Sequence, residues 1–247
     1  MYWSTVSETG VRVPGTANFR EVGAAVAGGY RLRPGYLFRS DALSRLGREG
    51  RAALTGLGVR RVVDLRSDRD RRLGGRDRPG ADVEVVRVPM LGGSAASFLG
   101  GWELRDVYRE ILVGHGPEIR AAVRAVAGSP GPVVVHCTAG KDRTGIVIAL
   151  VLLVLGADRD EVVADYAASE GHLAGEWTDR MVRRLRLMGV RPDARLRAMI
   201  GSSPAAVLRD ELQWLDRERG GVAGYLASVG VGADDLDRLR ATLLVPA

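Results

Sequence analysis

A cysteine and an arginine six positions apart are the residues of this sequence best suited to chemistry. Cys137 opens, and Arg143 closes, a loop that follows the apolar run 133–135 and leads into a second apolar run, 146–155. This order predicts a strand, a tight loop and a helix. At such a junction, successive backbone N–H groups and the positive end of the helix dipole point at one place, which favours an anion.

The loop is predicted to bind phosphate and to carry a reactive thiolate. The guanidinium of Arg143 can hold two phosphoryl oxygens, while backbone amides of the loop meet the remaining charge. The same positive field lowers the pKa of a cysteine at a helix N-terminus, and the thiolate is the nucleophile. A lone buried cysteine is more often a small core residue, but a core residue does not require such a loop around it. The predicted phosphate-binding residues are Thr138, Ala139, Gly140, Lys141, Asp142 and Arg143.

The sequence offers no metal-binding motif. It has one cysteine and three histidines, and His115, His136 and His172 are not paired at a ligand spacing. We therefore predict covalent catalysis that uses no metal and no cofactor.

The loop resembles the signature of a known family. Residues 136–145 read His-Cys-Thr-Ala-Gly-Lys-Asp-Arg-Thr-Gly, which is similar to the signature of the cysteine-dependent protein tyrosine phosphatases. The Lys-Asp-Arg form resembles an atypical bacterial branch described as tyrosine, dual-specificity or triple-specificity phosphatases, the last acting also on phosphoinositides. Residues 15–23 and 62–67 fit the same branch, so the resemblance runs from about Gly15 to the helix after the loop, and the last third is matched loosely.

The resemblance implies a fold as well as a reaction. The expected fold is α/β and tyrosine-phosphatase-like, with a central, mostly parallel sheet flanked by helices and a helical C-terminal insert or lid. The expected reaction is in-line attack by Cys137 on a phosphate monoester, followed by hydrolysis of the phosphocysteine.

Two carboxylates compete for the role of proton donor to the leaving oxygen. Asp142 lies beside Arg143, as in the Lys-Asp-Arg form of the family, and is the first choice. Asp64 is the alternative acid, since many relatives in the wider superfamily supply the acid from another loop. It ends a predicted buried strand, 59–65, and the carboxyl ends of parallel strands share one sheet edge. Asp64 and Arg66 should therefore lie on the same edge as Cys137.

Three further residues of the loop have predicted supporting roles. His136 should orient the loop and favour the thiolate without acting as the base, and Thr144 could donate a hydrogen bond to the departing thiolate. Lys141 adds a cation at the pocket. It indicates either a substrate with more than one phosphate or a loop-stabilising salt bridge, and the sequence favours neither.

The chain is predicted to be a single phosphatase domain, 1–247, with a possible helical lid or insert over about 160–220. Residues 68–82, dense in Arg, Asp and Gly, are predicted to be a solvated loop. We interpret 1–13 as an arm or edge strand and 91–101 as a mobile loop near the substrate. The arginines between 180 and 197 could line the pocket, but a solvated helix face is the favoured interpretation.

Composition restricts partners and compartment. The net charge is +6 and the hydrophobic content 46%, yet arginine is spread along the chain, which disfavours nucleic acid and suits a phosphorylated substrate. The N-terminus lacks a standard signal peptide, and the longest apolar run is too short to span a bilayer. We expect a cytoplasmic protein, with signal-independent secretion left open by the resemblance, and the sequence leaves the oligomeric state open.

The leading functional prediction is a phosphatase of phosphotyrosine or dual-specificity phosphoprotein substrates. One alternative keeps the chemistry and changes the substrate to a phosphoinositide or a small phosphorylated metabolite, such as a nucleotide or sugar phosphate. Another alternative, from a different class, is a non-catalytic phosphate-binding module, which the presence of Cys137, Asp142 and Arg143 disfavours.

Overall fold

The computed structural model describes residues 11–90 and 101–247. Its main element is a five-stranded sheet with strand order β1-β3-β6-β4-β5, and a two-stranded sheet pairs β2 with β7. The strands are β1 (Arg20–Glu21), β2 (Tyr30–Leu32), β3 (Leu37–Ser40), β4 (Arg61–Arg66), β5 (Glu84–Met90), β6 (Val133–His136) and β7 (Leu244–Pro246). The β3–β6, β4–β6 and β4–β5 pairs are parallel and β1–β3 is antiparallel. The predicted mostly parallel α/β fold is confirmed.

Helices cover the sheet and extend to the C-terminus. A 3-10 turn, Leu43–Arg45, precedes the first of them. The helices are α1 (Arg48–Gly56), α2 (Asp68–Gly74), α3 (Leu104–Gly114), α4 (Gly116–Ala127), α5 (Asp142–Val154), α6 (Arg159–Leu173), α7 (Glu176–Leu187), α8 (Ala194–Gly201), α9 (Ala205–Arg219), α10 (Gly221–Ser228) and α11 (Ala233–Leu243).

The central strand β6 brings the predicted chemistry to one edge of the sheet. Its valines are wholly buried, as a strand covered on both faces requires. The register pairs His136 with Ser40 on one side and with Asp64 on the other. Cys137 therefore follows a point where three parallel strands end together, and α5 leaves from the same edge with residues 142–152 all buried.

One segment folds differently from the prediction. Residues 68–82 were expected to form a solvated loop, but residues 68–74 form helix α2. The Ser67 side chain accepts a hydrogen bond from the N–H of Asp70, and the Asp70 carboxylate accepts one from the N–H of Ser67. This capping box starts a helix in a highly charged stretch.

Two aspartates accept backbone hydrogen bonds in different settings. Asp158 caps α6, accepting from the N–H of Glu161 at 3.0 Å. The carboxylate of Asp41 accepts from the N–H groups of Ala17 at 2.9 Å and Asn18 at 3.0 Å and does not cap the segment that follows it. It ties the N-terminal block to the end of β3 instead.

One continuous hydrophobic cluster joins the sheet to helices α3–α6 and α9–α11. Helices α7 and α8 pack on a smaller cluster that includes Ala139 of the loop and Trp177. This arrangement supports the proposal of one domain with a helical insert. In the described ranges, no helix has the length and apolar character needed to cross a bilayer. The predictions for 1–10 and 91–100 lie outside the described residues.

Candidate active site

The catalytic loop, residues 137–141, joins β6 to α5 with its backbone carbonyls turned outward. Asn18 Nδ2 donates to the carbonyl oxygens of Ala139 at 2.9 Å and Gly140 at 3.2 Å. Arg39 Nη2 also donates to the Gly140 oxygen, at 2.8 Å. Because C=O and N–H point in opposite directions in a trans peptide, the amides of these units face the centre of the loop. The backbone thus forms a nest for an anion.

Two glycines allow the loop to sit this close to its neighbours. Gly140 has a φ of 68°, and a Cβ there would lie 2.2 Å from the carbonyl oxygen of Ser40. At Gly145, in the first turn of α5, a Cβ would come within 2.8 Å of the Tyr166 ring. A side chain at either position would push the loop away from the strand and helix that support it.

Arg143 is enclosed and is held on one side. Its side chain is 1% exposed, and Nη1 donates to Asp70 Oδ2 at 2.6 Å and to the carbonyl oxygen of Met90 at 3.1 Å. Asp70 is itself fixed by the capping box of α2. Nε of Arg143 has no partner among the described residues, so the guanidinium keeps donors for a ligand on its other side.

The thiol of Cys137 is buried at the base of this nest. Burial raises the pKa of the thiol, but the charge of Arg143 and the backbone and side-chain donors of Thr144 outweigh burial, and the pKa is lowered overall. The Thr144 hydroxyl is buried and has no partner at conventional hydrogen-bond geometry in the described part of the chain. The site therefore favours a thiolate, with the Thr144 hydroxyl beside it.

Asp142 contacts a buried tyrosine, Tyr108, which contacts a second, Tyr166. The Tyr108 hydroxyl donates to Asp142 Oδ1 at 2.9 Å and lies 2.5 Å from the Tyr166 hydroxyl. Burial and the charge of Asp142 raise the pKa of Tyr108 well above its usual value, so Tyr108 keeps its proton and remains a donor. Tyr108 of α3 thus holds the Asp142 carboxyl at the N-terminus of α5, and Tyr166 of α6 supports Tyr108.

Asp64 is on the predicted sheet edge but has no free oxygen. Its Oδ1 accepts from Nε of Arg66 at 2.9 Å and its Oδ2 from Nη2 of Arg66 at 3.0 Å. Arg71 also reaches Oδ2, at 3.3 Å, and the Asp64 side chain is 0% exposed. Arg66 likewise binds carboxylates and leaves the phosphate site to Arg143.

His136 lies under the loop between a carbonyl and two carboxylates. Its Nδ1 is 3.0 Å from the carbonyl oxygen of Cys137, and its Nε2 is 3.0 Å from Asp77 Oδ2 and 3.7 Å from Asp64 Oδ1. Burial lowers the pKa of His136, but the carboxylates of Asp77 and Asp64 outweigh it and raise the pKa overall.

Asp64, Asp77 and His136 place ligand atoms within 4.8 Å of one another, close enough to hold a metal ion. However, Nη2 of Arg66 binds Asp64 at 3.0 Å and Asp77 at 2.6 Å, so a guanidinium already bridges the two carboxylates. A divalent cation does not fit beside that group without displacing it.

Lys141 is bound by the helical segment. Its Nζ donates to the carbonyl oxygens of Met199 and Ser202, both at 2.7 Å, and lies 3.5 Å from Asp142. The Lys141 side chain is 1% exposed. The Lys141 ammonium thus binds carbonyl oxygens at the C-terminal end of α8, where the helix dipole is negative, and joins that helix to the catalytic loop.

The N-terminal block supports the loop through a buried ion-pair network. Asp165 of α6 binds Arg39, and it accepts from Nε of Arg20 at 3.0 Å. Arg20 thus makes a structural salt bridge. Several supporting residues were not identified from the sequence: Asn18, Arg39, Asp70, Asp77, Tyr108, Asp165 and Tyr166. The capping pattern Ser67-x-x-Asp70 could have located Asp70.

Comparisons with known proteins show the family to which the chain belongs. A family model described as "Tyrosine phosphatase family" matches residues 11–245. A triple specificity protein phosphatase, PtpB, from Mycobacterium tuberculosis is 34% identical over 274 aligned positions, covering 94% of this chain and 98% of PtpB. A tyrosine-protein phosphatase from Nostoc commune is 30% identical, covering 83% of this chain and 73% of its own.

The solved structure of TpbA from P. aeruginosa is also similar, with a TM-score of 0.39 and 23% identity, covering 72% of this chain and 96% of TpbA. At that TM-score, the family assignment rests on the sequence matches. The chain belongs to the tyrosine phosphatase family, and it is a cysteine-dependent phosphatase.

Proposed function

We propose that the protein hydrolyses phosphate monoesters of phosphotyrosine or dual-specificity phosphoprotein substrates through a phosphocysteine at Cys137. The observation that carries this proposal is a thiol with a lowered pKa, enclosed by outward-turned carbonyls and by Arg143 with free donors. Such preorganised donors stabilise the equatorial oxygens in both steps. The relatives named as tyrosine and triple specificity phosphatases support the same substrate class.

The proposed hydrolysis has two steps, formation of the phosphocysteine and its breakdown by water. The thiolate forms an S–P bond while the P–O bond to the leaving group breaks, and Asp142 gives its proton to the leaving oxygen. Water then attacks phosphorus, Asp142 accepts a proton from it, and the S–P bond breaks to release phosphate and the thiolate. Thr144 donates to the sulfur as it leaves.

Asp142 is favoured over Asp64 as the acid because of where their hydrogen bonds go. Both oxygens of Asp64 accept from Arg66, whereas Asp142 Oδ1 accepts from the neutral Tyr108 hydroxyl and lies 3.5 Å from Lys141 Nζ. Removing a general acid typically costs about 10²–10⁴-fold in rate. We expect Asp142→Asn to lose most activity on esters with poor leaving groups and least on p-nitrophenyl phosphate. An unchanged dependence on leaving-group pKa in Asp142→Asn, with a steeper one in Asp64→Asn, would reverse the assignment.

Phosphoinositides are a second candidate through PtpB, which is named for triple specificity. Lys141 argues against a second phosphate contact, because its ammonium already binds two carbonyl oxygens. A small soluble phosphorylated metabolite is a further candidate substrate, because its hydrolysis would use the same chemistry.

The lone cysteine, kept reduced for catalysis, supports a reducing compartment such as the cytoplasm.

A substrate panel tests the proposal. Wild type and Cys137→Ser are assayed on phosphotyrosine and phosphoserine peptides, phosphoinositides and nucleotide monophosphates. We expect phosphotyrosine peptides to have the highest kcat/KM and Cys137→Ser to be inactive on every substrate. A preference of about two orders of magnitude for a soluble metabolite would overturn the substrate class, and hydrolysis by Cys137→Ser would overturn the covalent mechanism and the phosphate-binding geometry behind it.

A further inference from the structure

We propose that Asp77 is a positioning residue of the phosphatase reaction and that it acts on Cys137 through the ring of His136. The inference rests on the proposed function, because it concerns Cys137 as the nucleophile. Asp77 belongs to the charged stretch after β4, and its side chain is 2% exposed. It does not touch the phosphate nest. Its Oδ2 lies 3.0 Å from His136 Nε2, on the side of the ring opposite the loop.

The geometry sets the charge of the His136 ring. Nδ1 lies 3.0 Å from the carbonyl oxygen of Cys137, which can only accept a hydrogen bond. Nε2 lies 3.0 Å from Asp77 Oδ2, an ion-pair distance without conventional hydrogen-bond geometry. An acceptor at Nδ1 and a carboxylate this close to Nε2 both favour a proton on the nitrogen they face, so the contacts favour an imidazolium at His136.

The charges of the buried cluster support the same state. Asp64 and Asp77 bring two negative charges, and Arg66 brings one positive charge bound to both. Among these three side chains, which are at most 2% exposed, a protonated His136 balances the charge, whereas a neutral ring would leave the balance to Arg71 at the partly exposed rim. Arg71, 19% exposed, adds a cation at the rim through its contact with Asp64, and Asp41 also acts on His136 electrostatically.

The imidazolium has a consequence for the nucleophile. Cys137 is faced by the cation of Arg143, the opposing charge of Asp142 and the donors of Thr144. A second cation one residue away, screened from solvent, offsets Asp142 and favours the thiolate. Asp77 is the carboxylate that keeps the ring charged, since Asp64 is farther from Nε2, at 3.7 Å, and is committed to Arg66.

The test measures thiolate formation directly. The rate of Cys137 alkylation by iodoacetamide, a neutral reagent, is followed against pH in wild type and Asp77→Asn. We expect the midpoint to rise by about one pH unit in Asp77→Asn, with the acidic limb of kcat/KM moving the same way, and Asp77→Glu to return towards wild type. Asp68→Asn is the matched control from the same stretch, since Asp68 is 71% exposed and pairs with Arg87. Superimposable profiles for wild type and Asp77→Asn would overturn the proposal.

A double-mutant cycle separates action through His136 from a general loss of charge. In a His136→Asn background, Asp77→Asn should shift the alkylation midpoint no further. An equal shift in both backgrounds would show that Asp77 acts on Cys137 independently of the ring, contrary to the proposal.

A measurement on wild type removes the dependence on how the variants fold. The ¹⁵N chemical shifts of His136, assigned by comparison with His136→Asn, should show both ring nitrogens protonated at about pH 7. A neutral tautomer there would contradict the inference. The inference can fail on these results while the proposed function stands, because that function is tested separately by the substrate panel and by hydrolysis in Cys137→Ser.

Discussion

Arginines occupy two contrasting regions of this protein. Around the catalytic loop they are buried and each binds a buried or nearly buried carboxylate, whereas on helices α7 and α8 they are exposed or half-exposed and pair with exposed acids. The buried pairs are Arg39 with Asp165, Arg66 with Asp64, and Arg143 with Asp70. The exposed pairs are Arg180 with Glu176, Arg195 with Glu103, and Arg197 with Asp179.

Arginine–carboxylate pairs therefore differ between the two regions in their effect on folding and on local geometry. Exposed ion pairs are screened by water and salt and contribute little to folding. A buried pair leaves an uncompensated charge when one partner is removed, and it fixes the geometry of the groups beside it. The ion pairs described between 180 and 197 are accessible to solvent. The arginines nearest Cys137, by contrast, set the shape of the loop.

The largest effect should come from Arg143→Lys. Lysine keeps the charge but not the planar pair of donors, and it cannot match the contacts with Asp70 and the Met90 carbonyl. We expect kcat/KM on p-nitrophenyl phosphate to fall roughly a thousandfold, with thermal unfolding near that of wild type. Arg197→Lys is the matched control from the exposed region. A loss of less than tenfold in Arg143→Lys would mean that charge alone binds the phosphate.

Asp165→Asn should have the next largest effect, on stability. Asp165 pairs with Arg39 and Arg20, and its side chain is 10% exposed. Its removal leaves two arginines without their carboxylate, and we expect the free energy of unfolding to fall by about 3 kcal/mol. Asp216→Asn, at an Arg159 pair in which both side chains are 44% exposed, should change it by less than about 0.5 kcal/mol. Chemical denaturation compares the two, and equal losses would remove the distinction between the regions.

The effect of Asp165→Asn should also depend on pH. Burial raises the pKa of Asp165, but the charges of Arg39 and Arg20 outweigh it and hold the pKa below its ordinary value. The stabilisation is therefore complete above the unfolded pKa of about 3.9 and is lost as pH falls through the lower folded pKa. The difference in unfolding free energy between wild type and Asp165→Asn should shrink below about pH 4. If this difference in unfolding free energy grew on acidification, the pKa of Asp165 could not be lowered in the folded protein.

Asp70→Asn should have an intermediate effect on catalysis. Asp70 fixes Nη1 of Arg143 at 2.6 Å without belonging to the loop. An amide oxygen can still accept from the guanidinium, but without the charge, so we expect kcat/KM to fall roughly thirtyfold. Since Asp70 also caps α2, the helix content of the variant is checked by circular dichroism. A wild-type kcat/KM would mean that the Leu65 and Met90 carbonyls suffice to hold Arg143.

The catalytic loop could be predicted because its information is local. The apolar strand, the glycine-containing loop and the all-apolar helix lie within about twenty consecutive residues, and the parallel-strand rule correctly placed Asp64 beside His136. The class of reaction followed from residues 136–145 alone.

The supporting partners could not be predicted because they are distant in sequence. Tyr108 lies 34 residues from Asp142, and Arg39 lies 126 residues from Asp165. The burial of Asp77 depends on how the stretch after β4 folds back on β6, which composition does not encode. A charged segment was therefore expected to be solvated, although the carboxylate of Asp77 is buried against His136.

The smallest effect should come from Asp179→Asn on α7. Asp179 is 49% exposed and pairs with Arg197, which is 51% exposed. We expect kcat/KM on a phosphotyrosine peptide to change less than twofold and the free energy of unfolding by less than about 0.5 kcal/mol. Arg197→Ala should be equally mild if the pair is only a solvated surface contact. A selective rise in KM for the peptide in Arg197→Ala, with p-nitrophenyl phosphate unaffected, would instead assign this exposed helix face to substrate binding and end the separation of the two regions.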